Sequence, residues 1–585
     1  MNNFPIVLGI NYGGHDTSAT LTIEGKLIAA CEEERYNKEK HTRAFPHNAI
    51  LDCLKKANMT INDVEEIAIT YDPIFGIREN YLKSALEDEK RIEFLIKDFE
   101  RIKQFYNIKQ IICQKTGFKG KISYHLHHLC HMASSYYVSG FDEALLLSHD
   151  GMGEIDCSIL GAGKDGEISI LHKGNRYPNS LGLFYSAITH YLGWKHHSDE
   201  GIVMGLAPYG DDSRKIKNSN KTYKEIFQEI IYEVGDYDFE IDRSWISYYH
   251  VRDKWISDKF VDTFGPKREP NEPVTENHKN IAAALQNRIE TIVLNQLKKA
   301  KKQYGYDKLC LAGGVALNCS LNGKIIQSEL FNEIFVQPAS GDDGAAIGAC
   351  FLSSKRLLGK LKPQKWHNFY LGSSYTSSEI EDDIKKNKAK YSKPSNIYKT
   401  VSDELAEKKI VAWFQDGAEF GPRALGNRSI LTSPYPEDMK DYLNSRVKFR
   451  EEFRPFAPAI LNEHVQDYFF IRQQSPHMLI TAFVKEDKKK EIPAVIHVDN
   501  SARVQTVTKE NNPKFRKLLE AFYSKTKCPV LLNTSFNIKG QPIVNSPDDA
   551  IKCFLSNRIL KNYFLAFAFL LAIFVGFFSG FVFLF

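Results

Sequence analysis

The stretch Tyr124–Glu154, YHLHHLCHMASSYYVSGFDEALLLSHDGMGE, decides how the chain is read. Four histidines, His125, His127, His128 and His131, stand ahead of a run of small residues with helical character. Glu143 to His149 then reads as a buried strand that ends on Asp150-Gly151. Residues four apart on a helix share a face, so His127 and His131 can grip one cation, with Asp150 adding a carboxylate oxygen from the strand end. His128 and His131, three apart, also share a face, so spacing alone leaves the pair open. The competing use of such histidines is ordinary hydrogen bonding on a helix surface.

Outward from this stretch, Ala144 to His172 follows the order strand, Asp/Gly turn, strand, turn, strand. Ile6 to Cys31 follows the same order, with NYGGHD (residues 11–16) as its first turn. Repetition predicts an internal duplication, with the turns Gly13 to Asp16 and Asp150 to Gly153 facing each other across a cleft and His15 and Asp16 at its mouth. Such a glycine turn leaves backbone N–H groups free for a phosphate. Farther on, strand Lys308 to Ala312 runs into Gly313-Gly314-Val-Ala-Leu-Asn318, a junction that lets a backbone approach a nucleotide. Strand Ile334 to Gln337 leads to Ser340-Gly-Asp342-Asp343-Gly344, where Asp342 is a candidate fourth ligand placed like Asp150. Between these landmarks the pattern predicts a helix opened by Pro46, a strand at Val64 to Thr70 and amphipathic helix over Arg78 to Tyr106. A helical insert over 211–277 and a helix from Ile281 to Ala300 follow.

Length and composition bound the answer. A chain of 585 residues exceeds one core, and 43% hydrophobic with 25% charged residues is a globular composition. A net charge of +5 gives no general nucleic-acid footprint. Ten cysteines without a CxxC pair fit reduced thiols in a cytoplasm, and no signal peptide opens the chain.

A polar, lysine-rich stretch from Pro363 to Pro394 marks a boundary, after which strand Ile410 to Phe414 leads to GAEFGPRALGNRS (residues 417–429). Lys448-Phe-Arg450, Arg454-Pro-Phe-Ala-Pro458, Arg503 and Asn533-Thr-Ser-Phe-Asn537 follow. Arginines in such turns, beside Asn, Thr and Ser loops, suit a small anion, because guanidinium forks match phosphate oxygens in pairs.

Taken together, GINYGGHD, HHLCH, SLGLFYSA, VMGLAPYG, LAGGVALN, SGDDG, GAEFGPRALGNRSI, FRPFAP, SARVQTV and NTSFN resemble the O-carbamoyltransferase family of nodulation and antibiotic-tailoring enzymes. The resemblance implies an α/β fold: a duplicated actin/Hsp70/sugar-kinase-type (Kae1-like) domain over 1–362, a linker over 363–397 and an α+β YrdC-like domain over 398–562. It implies an enzyme that uses ATP and carbamoyl phosphate, makes carbamoyl-adenylate, and carbamoylates a hydroxyl of a sugar or natural product. The alternatives are a transferase of the tRNA threonylcarbamoyl type and a nucleotide-gated scaffold without catalysis; no nucleic-acid partner is expected. On this pattern an iron or other divalent site falls on His127, His131, Asp150 and Asp342, with magnesium accompanying ATP. Asp342 is preferred to Asp343 because the family's aspartate directly follows Ser-Gly. His15 matches a catalytic base and Lys40 an active-site lysine, while Gly313, Gly314 and Asn318 match a nucleotide loop. Arg423, Lys448, Arg454, Arg503 and Asn533 match a carbamoyl-phosphate pocket.

The chain departs from the family at its end. The segment 563–585 carries an uncharged apolar run from Phe564 to Phe585, long enough as a helix to cross a bilayer, preceded by Arg558 and Lys561. This predicts a cytoplasmic enzyme held to the inner face of a membrane, with out-of-frame sequence as the other origin of such a run.

Overall fold

The computed structural model describes residues 4–217, 219–556, 566–570 and 580–583. The chain divides into two compact units, Met1–Ile28 with His41–Lys365, and Ala29–Lys40 with Trp366–Phe585.

The first unit is built on two five-stranded sheets. The strands of the first are β1 (Ile6–Asn11), β2 (Ser18–Ile23), β3 (Lys26–Glu32), β4 (Glu66–Ile69) and β5 (Lys121–Tyr124), in the order β3-β2-β1-β4-β5. The strands of the second are β6 (Glu143–His149), β7 (Ser158–Lys164) and β8 (Glu167–Lys173), then, past a hairpin of β9 (Ile231–Val234) and β10 (Asp238–Ile241), β11 (Lys308–Ala312) and β12 (Glu333–Val336). Its order, β8-β7-β6-β11-β12, repeats the first sheet strand for strand. Orientation repeats as well: β1 is antiparallel to β2 and parallel to β4, and β6 is antiparallel to β7 and parallel to β11. The duplication expected for this region is therefore present. The central strands IVLGIN and ALLLSH are buried along their length, as strands covered on both faces must be.

Each copy continues from its last strand into a helix, α1 (His127–Ser139) after β5; α2 (Leu181–Tyr191) and α3 (Glu276–Tyr304) then precede α4 (Asp342–Leu358), which follows β12. Helices α1 and α4 pack together, and their small residues explain how closely. A Cβ added to Gly348 would lie 1.8 Å from the Cys130 carbonyl oxygen, and one on Gly9 of β1 would lie 2.3 Å from that of Ala346. Only glycine fits either contact. The duplicated halves thus meet through two helices that begin with His127 and Asp342, side chains of a kind that can ligate a metal.

Four expectations need correction. The insert over 211–277 is not all helical, because β9 and β10 pair as an antiparallel hairpin within it. The stretch 78–106 breaks into short helical pieces, including the π-helical turns of Ile77–Lys83, and Pro46 sits at the N-cap rather than inside its helix. In the apolar run, the described parts are strands, Ala566–Leu570 and Gly580–Phe583, and the rest lies outside the described residues. No helix among the described residues is long and apolar enough to cross a membrane, so the single spanning helix is not what the described part of the run forms.

The second unit holds a seven-stranded sheet. Its strands are β13 (Val411–Gln415), β14 (Arg428–Thr432), β15 (Ala457–Leu461), β16 (Gln505–Val507), β17 (Val530–Ser535) and the two strands of the apolar run, β18 (Ala566–Leu570) and β19 (Gly580–Phe583). The order is β16-β15-β17-β14-β13-β18-β19. The loop 415–428 is pinned by Arg428, a fully buried arginine stacked 3.6 Å from the Phe414 ring centre. Its guanidinium donates to the carbonyls of Gln415 (2.6 Å), Ser373 (3.0 Å), Asp416 (3.1 Å) and Asn545 (3.3 Å). Backbone oxygens thus replace the water that the charge has lost. Within the same unit, Glu32 accepts from the Gly421 N–H at 2.5 Å and Arg35 donates to the Gly421 carbonyl at 2.6 Å, which fastens the segment Ala29–Lys40 to this loop.

Gly348→Val is expected to abolish the folded first unit, because the new side chain meets backbone rather than a movable side chain. Calorimetry should show its cooperative transition lost or the protein insoluble. Gly201→Ala, with nothing within 4 Å of the added carbon, should leave the transition unmoved or slightly raised.

Candidate active site

Helical geometry decides the histidine register. On successive turns at the start of α1, His127 and His131 bring their Nε2 atoms to 3.0 Å of each other. His127 Nε2 lies 3.3 Å from Asp150 Oδ2 and 3.3 Å from Asp342 Oδ1, and His131 Nε2 lies 3.8 and 3.9 Å from the same oxygens. One donor atom from each residue falls within 4.8 Å of all the others. His128 faces away, one ring nitrogen 2.8 Å from Ser148 Oγ and the other 2.9 Å from the Asp156 carbonyl. His125 is engaged with Ser353 Oγ at 2.8 Å.

The cluster fits a divalent cation. Donors about 2.1 Å from one ion, at tetrahedral or octahedral angles, lie roughly 3.0–3.4 Å apart, close to the spacing found here. Two imidazoles and two carboxylates make a borderline-hard donor set suited to iron, manganese or zinc. Surrounding groups fix the ligands: Gly314 N–H donates to Asp150 Oδ1 at 2.7 Å, and His127 Nδ1 lies 3.3 Å from the Thr70 carbonyl, leaving Nε2 turned inward. Glu154 accepts from the backbone N–H groups of His127 and Asp72, an acidic cap that pattern reading missed. Burial opposes charge on His127, yet the carboxylates of Asp342 and Asp150 hold its pKa well above the ordinary value. The site thus draws positive charge to itself.

His15 stands beside this cluster. Its Nδ1 is 2.8 Å from Asp16 Oδ2 and 3.9 Å from Asp342 Oδ2, and His41 binds the other oxygen of Asp16 at 2.7 Å. Burial lowers the His15 pKa, but Asp342 and Asp16 outweigh it and raise the value to about 9. Asp342, at the start of α4, thus lies between His15 of the turn after β1 and His127, which meets Asp150 at the end of β6.

The glycine loop is closer to the metal ligands than its spacing alone implied. Gly313 has φ +87 and its missing Cβ would lie 2.2 Å from the His149 carbonyl, so close packing alone accounts for that glycine. Asn318 caps the next helix by accepting from Leu321 N–H at 3.0 Å, and also exchanges hydrogen bonds with Gln286 at 3.0 Å.

In the second unit, Lys448 is buried and its ammonium donates to Asn537 Oδ1 at 2.8 Å, to Ser535 Oγ at 3.2 Å and to the Ser535 carbonyl. Burial first, then Arg450 and Arg454, push its pKa well below that of an ordinary lysine. Arg450 is held by Asn444 Oδ1 at 2.7 Å and lies 4.5 Å from the Phe456 ring centre, and its charge is opposed by burial, Arg454 and Arg503. Arg503 Nε is buried without a hydrogen-bond partner, as is Asn533 Oδ1. Asn533 Nδ2 donates to the carbonyl of Ala424, the residue after Arg423, at 3.2 Å. Lys40 belongs to this unit, where its charge bears on Lys448. Lys448, Arg454 and Arg503 are thus brought together around Arg450, while Asn533 meets the residue after Arg423. So much like charge, with the Arg503 Nε donor left unmatched, is disfavoured without an anion beside it.

His127→Ala and His131→Ala are each expected to weaken divalent-metal binding at least about tenfold, since half of the nitrogen donors go. His128→Ala should bind metal as the parent does. Metal content after equilibration in a fixed free-ion buffer reads the difference, and full occupancy in either of the first two variants would refute the ligand set.

Residues 6–351 match the family described as Carbamoyltransferase N-terminus, and residues 402–567 match Carbamoyltransferase C-terminus. An uncharacterized protein of Synechocystis sp. is 36% identical, covering 96% of this chain and 96% of its own. Nodulation protein NolNO of Sinorhizobium fredii is 34% identical, covering 93% of this chain and 77% of its own. Nodulation protein NolO of Bradyrhizobium diazoefficiens is 37% identical over 74% of this chain and 76% of its own. With both halves matched and each half carrying its own charged site, the chain belongs to the carbamoyltransferase family and is an enzyme that transfers carbamoyl groups.

Proposed function

We propose that the protein is an ATP-dependent O-carbamoyltransferase working in two stages, one in each unit. The observation that carries this reading is the pairing of an anion pocket in the second unit with a cation site beside His15 in the first. The cationic pocket of Lys448, Arg450, Arg454 and Arg503 binds carbamoyl phosphate, and the unmatched Asn533 oxygen is available to its amide N–H. Water cleaves carbamoyl phosphate to carbamate and phosphate. Carbamate oxygen then attacks the α-phosphorus of ATP, giving carbamoyl-adenylate and releasing pyrophosphate.

In the first unit, His127, His131, Asp150 and Asp342 would hold a divalent ion, iron being the best match to the family pattern. When bound, such an ion supplies charge that steadies the adenylate phosphate. The chain's own residues do the rest. The acceptor hydroxyl oxygen forms its bond to the carbamoyl carbon, the bond from that carbon to the phosphate oxygen breaks to leave AMP, and the hydroxyl proton passes to His15. That role requires a neutral imidazole. With Asp342 unopposed, His15 is an imidazolium, so the base function depends on that carboxylate being otherwise engaged. Asp16, fixed by His41 on its other oxygen, orients the ring. Gly313 and Gly314 border the adenylate, and magnesium accompanies ATP. The acceptor is a hydroxyl of a small molecule or glycan.

Lys448→Ala and Arg503→Ala are expected to reduce carbamoyl-phosphate-dependent pyrophosphate release from ATP by about 100-fold or more, since each removes a charge-assisted contact to a doubly charged ligand. His127→Ala should keep most of that release while losing carbamoyl transfer. Equal loss of both half-reactions in all three folded variants would contradict the division of labour.

A further inference from the structure

The transfer reading leaves the acceptor open, and the rim around His15 carries features that it does not use. A continuous set of rings runs outward from the site: His15 stacks on His197 at 5.6 Å and 30°, and His197 meets Trp255 at 5.3 Å. His196 also packs on Trp255, at 4.5 Å, and Trp255 itself is half-buried. Its segment is held firmly. Ile246 and Ile256 pair as a bridge, Arg91 donates to the Tyr249 carbonyl at 2.7 Å, His250 binds Asp88 at 2.7 Å, and Arg252 pairs with Asp98. So many ties hold a tryptophan at the mouth of a site in one place.

Two arginines flank the same mouth. Arg43 lies two residues beyond His41, the partner of Asp16. Arg101 lies 5.3 Å from the ring centre of Phe105, and that ring abuts Gly13, where an added Cβ would come within 2.6 Å of it. Phe105 in turn stacks on Tyr71 at 5.1 Å, so the Arg101 stem rests on an aromatic wall next to the NYGGHD turn. Neither guanidinium has a carboxylate within ion-pair distance among the described residues, although surface arginines elsewhere pair readily, as Arg176 does with Asp156 and Arg516 with Glu463. Burial and then Arg101 disfavour charge on Arg43, and the field of Arg43 reaches both His196 and His197. An uncompensated cationic rim repels a cationic acceptor and attracts an anionic one.

From this placement we infer that the acceptor is an anionic carbohydrate, its sugar ring laid on Trp255, a hydroxyl turned to His15, and its carboxylate or phosphate bound by Arg43 and Arg101. Aromatic faces take the C–H side of sugar rings, and paired guanidiniums take either anion, so a uronic acid and a nucleotide-linked sugar share the required chemistry. The inference rests on the transfer reading for the role of His15, but the binding it describes is measurable by itself.

Glucuronic acid, UDP-glucose and glucose are the probes. Isothermal titration of the full-length, metal-loaded protein should show at least one charged probe binding about tenfold or more tightly than glucose, the effect of one charge-assisted contact. The probe that gains more identifies carboxylate or diphosphate as the source of charge. Arg43→Glu with Arg101→Glu should erase that preference, Arg43→Lys with Arg101→Lys should restore most of it, and Trp255→Ala should weaken all binding sugars alike. Equal binding of all three probes, a preference that survives charge reversal, or preferential carbamoylation of tRNA would overturn the inference. Charge-selective binding without carbamoyl transfer would instead sink the transfer reading and leave this one standing.

Discussion

Everything in the first unit depends on one crossing, the contact of α1 with α4 at Gly348. Because the two sheets repeat one strand order, each half delivers a helix at the same point, and glycine lets those helices meet at backbone distance. Their first turns then place His127, His131 and Asp342 together with Asp150 at the end of β6. Buried carboxylates and imidazoles in such proximity are costly unless a cation is shared among them. The fold thus holds in place a cluster that the chain alone would not bring together.

The second unit poses the opposite electrostatic problem. Lys448 is buried and Arg450 half-buried, and desolvation together with the repulsion of Arg454 and Arg503 disfavours their charges. A dianion relieves both costs at once, so the unbound pocket is strained in the direction of binding. On the proposed reading, an anion in the second unit and a cation in the first would give each unit a distinct chemical task. Arg428 shows the contrast: its carbonyl cage satisfies it completely, and it has nothing left for a ligand.

Much of this was legible in sequence for identifiable reasons. The duplication showed because strand, Asp/Gly turn and strand recur at Ile6 and Ala144, and turn chemistry is local. The i, i+4 choice of His127 with His131 needed the structure, since an i, i+3 pair was equally open until His128 was seen bound to Ser148 and the Asp156 carbonyl. Glu154 escaped because its role depends on what burial brings beside it, which no spacing encodes, whereas Arg450 was visible only as one of several arginines suited to an anion. The hairpin of β9 and β10 was read as helix because charged and aromatic residues in 211–277 obscure the period of two. In the apolar run, twenty-odd uncharged residues read as a helix on length alone, whereas the described parts add strands beside β13. Hydrophobicity without periodicity does not choose between the two.

The central claim is a transfer that passes through carbamoyl-adenylate, and an oxygen label tests it without knowledge of the acceptor. Carbamoyl phosphate carrying heavy oxygen in its carbonyl gives labelled carbamate, whose oxygen attacks the α-phosphorus and stays on AMP when the carbamoyl carbon is transferred to a hydroxyl or to water. Mass spectrometry of the nucleotide products should therefore find heavy oxygen in AMP, with pyrophosphate unlabelled. Unlabelled AMP, or ADP as the nucleotide product, would contradict the account.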